Sequence, residues 1–217
     1  MNKSTKLTTS ARTSARRRKH LKESHNTLLP SQAELVRKDF NYECALTGKT
    51  DNIVLDHFIP ISWGTVVNKY RIGGNTYANM LPINRSINSS KRSHPPFFWC
   101  EKYGERHEIP IEKWNYAVQY IAEKHGMDLL EYQSRVTACV NEMLAIRWIN
   151  HLHARLEKER MFRIADIDTG LKMNLNMSTV VAMFGNKRLK ELFMNKGLIN
   201  IVNERKILFE SRLKYRS

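Results

Sequence analysis

The sequence predicts an α+β fold: a small strand–strand–helix unit embedded in a mainly helical body. Three observations carry this. Two short apolar, β-branched runs, 53–61 and 80–83, flank a Gly-containing loop and lead into a segment that Asn84 can cap as a helix. From Ile111 onward the apolar residues recur at helical spacing. Residues 1–26 hold almost no large apolar side chain, so they are expected to be a disordered basic tail.

The elements follow in order. Ser31-Gln32-Ala33-Glu34 has the pattern of a capping box, which predicts a short helix ending near Asp39. Residues 53–61 predict a strand running into a loop, interrupted by Asp56, His57 and Pro60. Gly64, Gly73, Gly74 and Asn75 mark 62–78 as an exposed loop. A strand over 80–83 and a helix over 85–93 come next, and His94-Pro95-Pro96 stops the helix. Ile111, Trp114, Val118 and Ile121 share one helical face, and Asp128 caps a longer helix to about Arg160 with Val136, Val140, Leu144 and Trp148 as its main stripe. The predicted organisation is a tail over 1–26, a main domain over 27–162, a linker over 163–177 and a basic module over 178–217.

Charge narrows the partner. The net charge is +15, and it is concentrated at the two ends. Residues 1–26 carry eight Lys/Arg against Glu23 alone, and residues 178–217 carry nine against Glu191, Glu204 and Glu210, which leaves the middle near neutral. That distribution fits a polyanion, and double-stranded DNA is the expected partner. Arg16, Arg17, Arg18 and Lys19 at one end and Lys187, Arg188 and Lys190 at the other are the candidate phosphate contacts. No apolar run approaches a bilayer span, so no membrane is expected. Three widely spaced cysteines form neither a disulfide framework nor a zinc set and fit a reducing cytoplasm.

Chemistry concentrates at Asp56-His57. Adjacent strand positions point to opposite faces, so the carboxylate can hold a hard cation while the imidazole takes a proton from water. A second cluster follows in Asn79, Asn88 and Lys91. Asn88 and Lys91 are three apart on the predicted helix and share a face. An Asp carboxylate with an Asn carbonyl is a hard-oxygen pair suited to Mg²⁺ or Mn²⁺.

Asp56-His57-Phe58-Ile59-Pro60, then Asn79, Asn88 nine residues later and Lys91 three beyond, resembles the signature of HNH endonucleases. The likeness covers about residues 44–92 and implies a ββα-metal core and metal-dependent hydrolysis of DNA phosphodiesters. It implies that His57 is the base and that Asn79 ties the loop so that the His ring is aimed. Asp56 and Asn88 would hold the metal, with Lys91, Arg85 and Arg92 near the phosphate. Many members of that family clamp the motif with zinc on two Cys-x-x-Cys pairs. The corresponding positions here are Cys44, Thr47, Asn84 and Ile87, so no structural zinc is expected, and Trp63, Phe97, Phe98 and Trp99 are expected to pack in its place. The resemblance leaves open a phage or mobile-element nuclease of homing type, a restriction or defence nuclease, and an inactive DNA-binding regulator. A monomer or a homodimer fits, and no small-molecule cofactor is implied.

The basic module is predicted as a short helix over 178–184, a turn at Gly185, a helix over 186–195 and a small hairpin from 198–201 and 206–209. That order is similar to a winged helix-turn-helix of the excisionase kind. A plain helical cap on the main domain is the other reading.

Overall fold

A computed structural model describes residues 9–159 and 161–214. The chain is mainly helical with one small sheet, an α+β fold, and divides into two compact units, Met1–Cys139 and Val140–Ser217. No helix among the described residues is long and apolar enough to cross a membrane.

The first unit opens with α1 (Thr9–Glu23), where disorder is expected from composition. Residues 1–8 of that predicted tail lie outside the described residues, as do the side chains of Arg16 and Arg17. Ala, Arg, Lys and Leu are good helix formers, and the helix touches the turn Ile61–Trp63 with Leu21 partly buried. α2 (Pro30–Asp39) begins one residue before the expected capping box. Proline suits the first helical position, and the Gln32 side chain accepts the Leu29 N–H at 3.0 Å.

β1 (Ile53–His57) and β2 (Met80–Asn84) pair antiparallel, with Asp56 opposite Leu81 and His57 opposite Met80. Between them the expected loop contains two one-turn helices, at Ile61–Trp63 and Tyr77–Asn79, and α3 (Val66–Lys69). α4 (Arg85–Lys91) leaves β2 directly, capped by Asn84, whose Oδ1 accepts the Ser86 N–H at 2.8 Å. The double proline that stops it starts α5 (Pro96–Tyr103), a helix the sequence reading passed over. α6 (Ile111–Lys124) and α7 (Leu129–Glu159) follow as expected, α7 beginning where Asp128 Oδ1 accepts the Glu131 N–H at 2.8 Å.

The core of this unit is aromatic. Phe58 lies against Trp114 and Tyr132, with ring centroids 5.7 and 6.3 Å away. Trp63 and Trp99 are buried as expected, and Phe97 is half-buried, but Phe98 is 48% exposed and takes no part in the core. Around Cys44 the backbone closes its own turn: Cys44 N–H bonds Lys49 O, Gly48 N–H bonds Cys44 O, and Ala45 N–H reaches Pro82 O, each at 2.8 Å. Cys44 Sγ accepts the Asn84 N–H at 3.4 Å. Burial pushes the Cys100 thiol up to about 11, which leaves it protonated at neutral pH.

The second unit comprises the later part of α7 with α8 (Ile164–Lys172), α9 (Met177–Phe184), α10 (Lys187–Phe193) and α11 (Lys196–Lys214). Two expectations are corrected here. The linker over 163–177 is largely α8, because Ile167, Gly170 and Leu171 bury one face. A Cβ on Gly170 would sit 2.9 Å from the Met177 sulfur and 3.0 Å from the Trp148 ring, so glycine there lets α8 pack close without displacing them. The predicted hairpin is instead a single helix, α11. Leu198, Val202 and Phe209 recur on one helical face and pack against the core around Trp148 and Leu189. Arg205, read as part of a turn, forms a two-pronged pair with Asp168. α9, Gly185 and α10 keep the expected helix–turn–helix order without a wing.

Candidate active site

The site is built where β1 ends. Asp56 and His57 occupy successive strand positions, so their side chains leave on opposite faces of the sheet.

On the His57 face the ring is buried, and Nε2 lies 2.8 Å from the Asn75 side-chain Oδ1. Asn75 turns that oxygen to the ring because its own amide nitrogen donates to Asn26 Oδ1 at 2.6 Å. The carbonyl-facing His57 Nε2 must then carry the proton, and a neutral ring of that tautomer has its basic lone pair on Nδ1.

Behind His57 the chain is fixed by Asn79, which is completely buried. Its Oδ1 accepts the Ile59 N–H at 2.8 Å, and its Nδ2 donates to Ile59 O at 2.9 Å and Gly74 O at 2.8 Å. Its backbone carbonyl accepts the Phe58 N–H at 2.8 Å. One side chain thus joins the segment that leaves His57 to the loop that carries Asn75. The turn holding Asn79 is tied outward through Tyr77. Asp39 accepts from Tyr120 at 2.7 Å and Tyr77 at 3.2 Å, and Lys124 donates to Tyr77 at 2.7 Å. Burial alone pushes the Asp39 carboxyl up, but the Tyr120, Lys124 and Tyr77 partners outweigh it and hold it below the usual carboxylate range.

On the other face, Asp56 Oδ2 accepts from Lys91 Nζ at 2.7 Å, and the same ammonium donates to His57 O at 2.8 Å. Lys91 is only 4% exposed, which corrects the expectation of a surface lysine waiting for phosphate. Ile87, one turn earlier, is buried on the same side of α4, so the helix presents that side to the sheet. Asn88 is partly exposed one turn before Lys91. The Asp56 side chain is 17% exposed and is held through Oδ2. Its Oδ1 and the Asn88 side-chain carbonyl are hard oxygen donors, the type that a divalent cation such as Mg²⁺ takes.

The remaining candidates are dispersed. Arg85 and Arg92 are exposed at the two ends of α4, with Arg92 Nε on Ser89 O at 3.1 Å. Arg18 and Lys19 are exposed on α1. Lys187, Arg188 and Lys190 are exposed on α10, in the second unit. Among the described residues no cluster of three or more His, Cys, Asp or Glu is placed to hold a metal.

Asn75, which faces His57, is the candidate that sequence reasoning missed. Its signal was the Gly73-Gly74 pair before it, which looks like ordinary loop punctuation. Both glycines have positive φ, +77° and +79°, and a Cβ on Gly74 would lie 2.9 Å from the His25 carbonyl oxygen. Gly74 thus lets the His25 backbone approach, whereas a Cβ on Gly73 would meet the Ile59 side chain at 3.0 Å. Comparison of the chain with protein-family models, with curated proteins and with solved structures finds no match.

Proposed function

We propose that the protein is a metal-dependent DNA endonuclease of the HNH type, with His57 as its catalytic base. The observation that carries the reading is the contact at His57: a buried imidazole whose Nε2 lies 2.8 Å from the Asn75 Oδ1 holds its proton there, which puts its base at Nδ1. Asn79 supports it by fixing both sides of the loop around that ring. The basic ends supply affinity for phosphates, and the double-stranded substrate remains part of the proposal.

In this mechanism His57 Nδ1 takes a proton from water as the water oxygen bonds to phosphorus. The bond from phosphorus to the leaving 3′ oxygen breaks, and that oxygen takes a proton from solvent. The resulting imidazolium keeps its Nε2–H on Asn75 and returns its proton to solvent. Asp56 and Asn88 would hold Mg²⁺ or Mn²⁺, which when bound neutralises charge on the phosphate and the leaving oxygen. The Lys91–Asp56 pair favours one alternative, a DNA-binding protein without catalysis, because an ammonium competes with a cation for the carboxylate.

Supercoiled plasmid decides between them. Wild-type protein should nick it with Mg²⁺ or Mn²⁺ and stop in EDTA. His57→Ala should lose about two to four orders of magnitude in rate while binding DNA normally. An intact plasmid with wild type would rule the nuclease out, and equal nicking by both proteins would end the assignment of His57 as the base.

A further inference from the structure

The segment between α1 and α2 runs against the loop that carries Asn75. Asn75 N–H donates to His25 O at 2.7 Å, and Asn75 O accepts both Thr27 N–H and Leu28 N–H at 3.0 Å. Asn26 and Asn75 form a parallel bridge, and the two side chains meet at 2.6 Å. Glycine at 74 is what permits the approach. Residues 25–28 therefore hold both the backbone and the side chain of the residue that faces His57.

The side-chain contact carries the logic. An Asn side chain can turn over, exchanging its oxygen for its nitrogen. Asn75 with its nitrogen toward His57 would demand an acceptor at Nε2 and would move the ring proton to Nδ1, where it abolishes the base. Asn26 Oδ1 accepts from the Asn75 nitrogen and so favours the orientation that puts the Asn75 oxygen on His57. A residue 31 positions away in sequence from His57 thus bears on which ring nitrogen is basic. We propose that Asn26 and Asn75 are positioning residues that set the His57 tautomer, so that segment 25–28 is a working part of the site.

This inference rests on the nuclease reading for its consequence in rate, but the tautomer can be observed without it. Two-bond ¹H–¹⁵N spectra of the histidines, with His57 identified by its loss in His57→Gln, should show the Nε2–H form in the full-length wild type. Asn75→Ala and Asn26→Leu should give a mixture of tautomers and reduce single-turnover plasmid nicking about tenfold, the factor of one neutral hydrogen bond. Asn26→Asp still offers oxygens to the Asn75 nitrogen, so it should keep the wild-type spectrum and rate. Asn75→Asp, which is isosteric and presents oxygen to His57 either way, should keep the Nε2–H form. A wild-type ring protonated at Nδ1 would overturn the proposal, as would unchanged spectra in Asn75→Ala and Asn26→Leu. Equal loss in Asn26→Asp and Asn26→Leu would also overturn it, since Asn26 would then act through packing. An Nε2–H ring in a protein that never nicks DNA would end the nuclease reading and leave the positioning pair standing.

Discussion

Asn79 shows how much one buried side chain can decide. It satisfies the Ile59 N–H, the Ile59 carbonyl and the Gly74 carbonyl, none of which has water to turn to. Asn79→Ala leaves all three without that partner and should cost about 3 kcal/mol or more of stability. The urea midpoint of the variant checks this, and a loss below about 1 kcal/mol would show that the loop re-pairs without it. The placement of His57 at the end of a strand and of Asn79 against the loop was legible in the sequence because their spacing within a strand–loop–strand pattern is distinctive. Asn75 was not, because an Asn after two glycines reads as a turn. Lys91 was misread for a different reason. A lysine is mostly a surface residue, and only its place one turn after Ile87 on the buried side of α4 shows that it turns inward.

Among elements, the strands, α4, α6 and α7 followed from periodicity and capping, whereas α8 and α11 did not. The polar residues suggested a linker over 163–177 and a turn between two strands at 203–205, yet they form the solvent side of helices whose other side is core. Gly197 sits in the first turn of α11, its N–H on Asn195 Oδ1 at 2.8 Å, where glycine costs little. The elements that hold the site also have a titratable joint. Asp39 on α2 accepts from Tyr120 on α6 and Tyr77 beside Asn79, and its folded pKa is lowered. A lowered carboxyl contributes stability in full above its unfolded pKa, about 3.9, and loses it as pH falls through the folded value. Asp39→Asn lacks that ionisation. Its urea midpoint should start lower than wild type at about pH 6 and fall less on the way to about pH 3. Parallel declines of the two proteins would show that the Asp39 joint contributes nothing to acid unfolding.

At the scale of the whole molecule, the sequence located the charge better than the boundaries. The compact units meet within α7, after Cys139, and not at the expected linker, because a continuous helix carries no compositional sign of where one core gives way to another. This changes which truncations are informative. Residues 178–217 contribute Val180, Val181 and Leu189 to the second core, so their charge is better tested by exchanging Lys187, Arg188 and Lys190 for Gln. Deletion of 1–23 removes eight Lys/Arg while sparing Asn26, and should flatten the salt dependence of DNA binding by several units without altering the cut pattern. A change in cut pattern with that deletion would mean that the N-terminal segment reads bases. The triple exchange should shift the cut pattern only if the helix–turn–helix reads DNA. The Lys91–Asp56 pair, finally, gives the largely buried carboxylate a counter-charge from within the fold. On the proposed reading, a divalent ion at Asp56 would replace one counter-charge with another, so that the shape of the site would not have to wait for the ion.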